Sequence, residues 1–370
     1  MSPTSINPTA SCHSQIAFPL DSEPSFAKLF TVSDQIKING PSLALVAPLD
    51  LATACLATPA FRAIRRARPD LTPVIICPQS AVSFWAIHFK QILSYDETAS
   101  PQQLAERFSN GTYHSAIILE DSRAARALSR LGVPQRIGFD LPALKNLLTN
   151  PISLPTPAGP LPHRVSRYLD LVEELSCEPR NPENFTPLPL PPRPRIPRIA
   201  LAPDSDLGPA CEWPTESYLK LIESLSKNLQ PEFFLLSMPG KSPATDRLAT
   251  AMNSEQTKKP DKNSSAEDFN LEQLLTILPT FSLLIAPNGT LVHLAAHLGL
   301  PTVTLMGPQD PRTHRPLGKI HSVLTTHAEC SPCNLPKCPL DHRCLVELEV
   351  TRVAQAITAS LPQREETASL

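Results

Sequence analysis

Four cysteines crowd the C-terminal part of the chain as Cys330-x2-Cys333-x4-Cys338-x5-Cys344. Thiolates at loop spacings of this kind can converge on one zinc ion, and His342 could replace one of them. The alternatives are two disulfides or buried free thiols. No open coordination position or neighbouring base accompanies the cluster, so a metal there would be structural. A second chemical feature is Asn288-Gly289-Thr290, placed just before an apolar helical run over residues 291–299. The first amides and the dipole of such a helix attract anions. Gly289 lets a ligand approach the backbone closely, and Thr290 either caps the helix or donates to a phosphate. Absent motifs matter as much. No G-x-G-x-x-G and no G-x-x-x-x-G-K-[ST] occurs in a chain with only 11 glycines, which excludes an ordinary dinucleotide-binding dehydrogenase and a P-loop enzyme.

The elements that must hold these residues read as alternating strands and helices. Apolar runs at 42–48, 73–78, 114–120 and 135–140 have the character of buried parallel strands, with helical periodicity at 54–70, 122–132 and 163–175. Residues 181–197 are crowded with prolines and predict a stiff, extended linker. A second series follows, with strands at 198–204, 233–240, 281–287 and 301–307, helices at 215–229, 270–279 and 291–299, and a last helix at 346–361. The pattern predicts an α/β chain of two doubly wound units facing a cleft at the carboxyl ends of their strands. The divisions expected are a poorly ordered segment 1–40, an N-terminal domain 41–180, the linker 181–197, a C-terminal domain 198–345 and a terminal helix and tail 346–370. Residues 251–268 read as an exposed polar insertion.

Length and composition agree. The chain has 370 residues, 41% hydrophobic and 18% charged, with a net charge of -2. That suits two globular domains and gives no reason to expect nucleic-acid binding. The first residues lack the charged start and apolar stretch of an export signal, and no segment approaches a membrane span. A cytoplasmic location is expected. Arg62, Arg65, Arg66 and Arg68 give one helix a basic side, read as a solvated face, with contact to an anionic membrane surface or acidic acceptor as the alternative.

Residues 286–311, APNGTLVHLAAHLGLPTVTLMGPQDP, resemble the nucleotide-sugar signature of the bacterial heptosyltransferases, glycosyltransferase family 9. His293-Leu294-Ala295-Ala296, Gly299-Leu300-Pro301, Gly307-Pro308 and Asp310-Pro311 fall at matching spacings. Thr58-Pro59-Ala60-Phe61-Arg62-Ala63, Arg136-Ile137-Gly138-Phe139, Trp213-Pro214 and the cysteine-bearing tail continue the resemblance in order. The resemblance implies a GT-B architecture, two Rossmann-like domains facing a cleft. It also implies an ADP-sugar donor, by default ADP-heptose, bound mainly by the C-terminal domain, and a lipopolysaccharide-core or other cell-envelope glycan acceptor. Transfer would invert the anomeric centre with a carboxylate as base and no metal or other cofactor in the chemistry. It would take place in the cytoplasm or peripherally at the inner membrane.

On this resemblance His293 contacts the donor, with a core or capping histidine as the alternative, and Asp246 is placed to bond the donor's ribose hydroxyls. Three positions depart from the pattern. The base position holds Thr53, which cannot accept a proton as a carboxylate does. Asp50, three residues earlier, is the candidate substitute, its alternative role being a helix cap. Cys211 stands where a phosphate-binding lysine is expected, leaving Lys241, Arg312 or Arg315 to compensate. Asn288 replaces an acidic residue. Together these departures keep open a second expectation, a catalytically degenerate relative acting as a binding or partner module.

Overall fold

The computed structural model describes residues 36–154, 159–238, 243–254 and 267–361. Most of the segment 1–40, Gly240, Lys241 and most of the polar insertion 251–268 lie outside these described residues. The described part of that first segment, Ile36 to Gly40, belongs to the fold. Ile38 is buried, and the Asn39 amide donates to Ser115 Oγ at 3.1 Å and Gln135 Oε1 at 2.9 Å.

The first series comprises β1 (Ser42–Val46), α1 (Leu51–Ala67), β2 (Thr72–Pro78), α2 (Val82–Ala86), β3 (Ile92–Tyr95), α3 (Pro101–Phe108), β4 (Ser115–Ile117), α4 (Arg123–Arg130), β5 (Gln135–Phe139), β6 (Asn150–Ile152) and α5 (Arg164–Glu173). Its sheet runs β3-β2-β1-β4-β5-β6, and every pairing is parallel. The second series comprises β7 (Arg198–Leu201), α6 (Thr215–Asn228), β8 (Glu232–Ser237), α7 (Pro243–Ser254), β9 (Glu267–Asp268), α8 (Leu271–Ile277), β10 (Leu283–Pro287), α9 (Thr290–His297), β11 (Thr302–Met306), α10 (Pro311–His314), β12 (Ser322–Thr325), α11 (Arg343–Val346) and α12 (Val350–Ser360). Its sheet runs β12-β11-β10-β7-β8-β9, again all parallel. Both halves therefore share one wiring, in which the strand order reverses between the first and fourth strands of each sheet. Ligands of such sheets gather at that reversal, beyond the carboxyl ends of the strands. Here the reversals are β1/β4 and β7/β10.

Local chemistry explains the boundaries. α1 starts at Leu51, ahead of the expected residue 54, because the Asp50 carboxylate accepts from the Thr53 amide and caps it. Pro59 removes one helical donor, yet α1 continues, since its residues from Ala52 to Ala60 are all buried and packing outweighs the lost bond. Ser100 and Gln103 form a capping box on α3, and Asn270 and Gln273 form another on α8. The helix expected at 346–361 is α12, which begins only at Val350, and the short α11 precedes it. Gly138 sits where β5 passes β4, and an added Cβ would lie 2.2 Å from the Ile118 carbonyl oxygen.

The two halves meet directly. α1 packs on α9, and α2 packs on α8. The proline-rich stretch is stitched to both. Arg62 Nη1 donates to the carbonyls of Asn184 at 3.2 Å and Thr186 at 2.7 Å. Pro187 and Leu188 rest on Gly299, whose added Cβ would come within 3.0 Å of Pro187 Cβ. The basic side of α1 is not simply solvated. Arg65 donates to the His88 carbonyl, Arg66 pairs with Glu178 and Glu183, and Arg68 pairs with Asp70.

Candidate active site

At the β1/β4 reversal two carboxylates stand side by side. Asp50 is exposed and heads α1, and its Oδ2 accepts from the Thr53 amide at 2.8 Å and the Thr53 hydroxyl at 2.6 Å. Glu120, just past β4, accepts the Leu49 amide on Oε1 at 2.7 Å. Burial pushes the Glu120 carboxyl above the usual carboxylate range; the Leu49 bond opposes this and the neighbouring Asp50 charge adds to it. α5 contributes cations. Arg164 Nη2 donates to Thr53 Oγ1 at 3.2 Å, and Arg167 offsets part of the Glu120 shift.

His293, on the first turn of α9, comes to this group from the other half. Burial drives its pKa down to about 3, with Arg164, His163 and His314 adding to the effect and Asp50 opposing it. His293 lines a small cavity with Thr58, Arg62 and Asn184, and the charges of Asp50 and Arg164 are near enough to act on it. His163 spans the halves as well. Its Nδ1 accepts from the Val165 amide at 3.2 Å and its Nε2 donates to the Arg315 carbonyl at 2.8 Å. This pair of contacts selects the Nε2–H tautomer. Of the residues that the sequence nominated, Asp50 lies at the head of α1 and His293 on the first turn of α9, within electrostatic reach of each other. Sequence reasoning missed Glu120, Arg164 and His163.

At the β7/β10 reversal the α9 N-terminus already holds an anion from the chain itself. Asp206 accepts from the Thr290 amide at 3.1 and 3.3 Å and from the Thr290 hydroxyl. An added Cβ on Gly289 would meet Asp206 Oδ1 at 2.3 Å, so only glycine lets the carboxylate come this close. Thr290 spends both its donors on Asp206. Beside it Asn288 is buried, its carbonyl accepts from Ser205 Oγ at 2.9 Å, and its side-chain Oδ1 has no partner among the described residues. A diphosphate docking here must displace a like charge. Asp206→Asn is therefore expected to tighten ADP binding about tenfold at low salt. Calorimetric titration with ADP checks this, and equal or weaker binding would mean that the diphosphate does not sit at α9.

The lysine substitute Cys211 is out of reach of a ligand. It is 1% exposed and its sulfur accepts from Gln309 Nε2 at 3.0 Å, while burial raises its thiol pKa. Of the compensating cations, Arg312 is taken by Asp310 at 2.7 Å. The exposed Arg315 guanidinium has no ion-pair partner among the described residues. Asp246 is exposed on the first turn of α7, one strand away from the reversal. The neighbouring Asp204 caps that helix through the Ala244 amide at 2.8 Å and the Thr245 hydroxyl at 2.5 Å.

The expected four-cysteine zinc centre is not formed. No group of three or more His, Cys, Asp or Glu side chains among the described residues is placed to hold a metal ion. Cys330 and Cys333 are exposed, Cys338 is half-buried, and Cys344 is buried against Gly307; all four are free thiols. Burial pushes the Cys344 thiol up to about 11, and Cys330, Cys338 and Cys333 add to that. His342 Nε2 donates instead to the Ala210 carbonyl at 2.7 Å. One thiol is drawn into the core and two stay on the surface, so the side chains as arranged form no set placed to hold zinc.

Comparison with known proteins agrees with this geometry. The model of glycosyltransferase family 9 (heptosyltransferase) matches residues 102–343, well over half of the chain. Lipopolysaccharide heptosyltransferase 2 of Salmonella typhimurium is 30% identical over 121 residues, 33% of this chain and 34% of that protein. Its namesake in Escherichia coli K12 is 25% identical over 175 residues, 46% of this chain and 48% of that protein. The chain thus aligns with one third to one half of the length of these curated relatives. The solved structure of E. coli ADP-heptose lps heptosyltransferase II superposes with a TM-score of 0.69 at 19% identity, covering 86% of this chain and 98% of that one. This likeness establishes the GT-B fold. Among the described residues no helix is long and apolar enough to cross a membrane. The chain belongs to glycosyltransferase family 9, the heptosyltransferases.

Proposed function

We propose that the chain transfers a sugar from an ADP-sugar, ADP-heptose by family default, to a hydroxyl of a lipopolysaccharide-core or other cell-envelope glycan. The observation that supports the reading is the pair of parallel sheets whose strand orders reverse at β1/β4, beside Asp50, and at β7/β10, beside α9 and His293. The acceptor hydroxyl oxygen attacks the anomeric carbon as Asp50 takes its proton. The carbon–oxygen bond to the diphosphate breaks, ADP leaves with the electron pair, and the anomeric centre is inverted. His293, buried and neutral, lines the donor side. Asn288, Gly289 and Thr290 meet the diphosphate once Asp206 has moved aside, Arg315 supplies the charge that Cys211 lacks, and Asp246 reaches the ribose. No cofactor takes part, and the chain works in the cytoplasm, peripherally at the inner membrane.

Calorimetry with ADP tests the donor half of the site. Saturable binding is expected, weakened roughly five- to tenfold by Arg315→Ala, the usual range for one charge-assisted contact. A second reading, a degenerate relative that serves as a partner module, is favoured by the burial of Cys211 and by the Asp206 carboxylate at α9. Absence of ADP binding up to about millimolar concentration, an affinity near 4 kcal/mol, would make that second reading the better one.

A further inference from the structure

Thr53 stands where the resemblance expects the catalytic carboxylate, and the structure delivers a carboxylate to that spot by another route. Thr53 lies in the first turn of α1 and is 8% exposed. Its hydroxyl has one proton, and the 2.6 Å contact to Asp50 Oδ2 uses it. The oxygen's lone pairs then accept from Arg164 Nη2 at 3.2 Å. A guanidinium only donates and a carboxylate only accepts, so the direction of the chain is fixed from Arg164 through Thr53 to Asp50. The β-hydroxyl of a threonine occupies the place of the γ-carbon of an aspartate. The Asp50 carboxylate therefore begins one hydrogen bond away from where an aspartate at position 53 would carry its own. Oδ2 takes both Thr53 donors, while Oδ1 carries no hydrogen bond among the described residues.

We propose that Thr53 is a positioning residue for the base, its hydroxyl holding Asp50 Oδ2 under the orientation of Arg164 so that Oδ1 faces the acceptor hydroxyl. The inference rests on the reading of Asp50 as base. It differs from simple helix capping, because the capping bond comes from the Thr53 amide and survives loss of the hydroxyl. Valine keeps the branched shape and that amide, and loses only the relay.

The test follows ADP release by the full chain, with ADP-heptose as donor and deacylated lipopolysaccharide core as acceptor, alongside thermal melts. Thr53→Val is expected to lower kcat roughly ten- to hundredfold with KM for ADP-heptose nearly unchanged, the scale of a misplaced reacting group. Thr53→Ser should restore most of the rate. In an Asp50→Asn background Thr53→Val should change nothing further, since both act through one carboxylate. If Thr53→Val lowers the melting temperature sharply, Thr53→Ser against Thr53→Ala makes the same comparison. Wild-type kcat in Thr53→Val, a serine variant as impaired as the valine one, or an additional loss in the Asp50→Asn background would each overturn the inference. An Asp50→Asn variant with full turnover would instead remove the base reading itself. A wild-type chain that releases no ADP would leave Thr53 a capping role only.

Discussion

Replacing Asp50 with asparagine is expected to lower kcat for sugar transfer by roughly a hundredfold to ten-thousandfold, the usual contribution of a positioned general base. KM for ADP-heptose should stay within about twofold, because the carboxylate meets the acceptor and not the donor. The fold should hardly respond. Asparagine caps helices as well as aspartate does, and its amide oxygen can still take the Thr53 amide now held at 2.8 Å. A large kinetic loss with an unchanged melting temperature separates catalysis from capping, the two roles open to this residue. Unchanged turnover would end the assignment and turn attention to Glu120, whose carboxylate is tied to the adjoining Leu49.

Acidification should be nearly as consequential, for stability. His88 and His297 touch Nε2 to Nε2 at 2.7 Å across the two halves, and Arg62 Nη2 lies 3.3 Å from His88 Nδ1. Burial drives His88 down to about 3, with Arg62 and Arg65 adding to it. Burial likewise drives His293 to about 3 and His321 to about 4, and puts His297 far below its ordinary value, with His88 and Arg62 contributing. The folded chain thus keeps these rings neutral where the unfolded chain takes up protons. Their stabilisation is complete above the ordinary histidine value of 6.5 and is lost as the pH falls from there toward about 3. Each such ring contributes about 1.4 kcal/mol per pH unit, so His88 and His293 together cost about 4 kcal/mol near pH 5. His88 and His293 alone should lower the melting temperature by on the order of 8 °C between about pH 7 and pH 5, with His297 and His321 adding to it. A His88→Asn, His293→Asn double variant, which cannot titrate there, should show a flatter acid slope. An identical slope would refute the account.

The interior of the fold was legible in the sequence, and its borders were not. Continuous apolar runs announced β1, β2, β4, β5, β7, β8, β10 and β11. The strands that escaped notice, β3, β6, β9 and β12, are the edges of the two sheets. Edge strands pair on one side only and are short here: Asn150–Ile152 and Glu267–Asp268 carry almost no apolar signal. The site divides in the same way. Asp50 and His293 sit at fixed offsets from local motifs, so the sequence nominates both. Glu120, Arg164 and Asp206 act on partners 71, 111 and 84 residues away, distances no local pattern spans. Glu120 alone left a trace, as the carboxylate ending the apolar run at residues 114–120, where parallel strands present ligand-binding groups. The cysteine spacing misled because spacing permits convergence without enforcing it; the packing of Cys344 against Gly307 decided the outcome.

The stitching of the proline-rich stretch sets the mechanics of the cleft. Arg62 grips the Asn184 and Thr186 carbonyls from one side, and Pro187 and Leu188 bear on Gly299 from the other. Leu188 also lies against Val82 and Ile87 of the first half, so what reads in sequence as a long spacer is a strap held by both halves. The strap runs beside the floor where α1 meets α9, so a shift of one half against the other would have to carry these contacts along or break them.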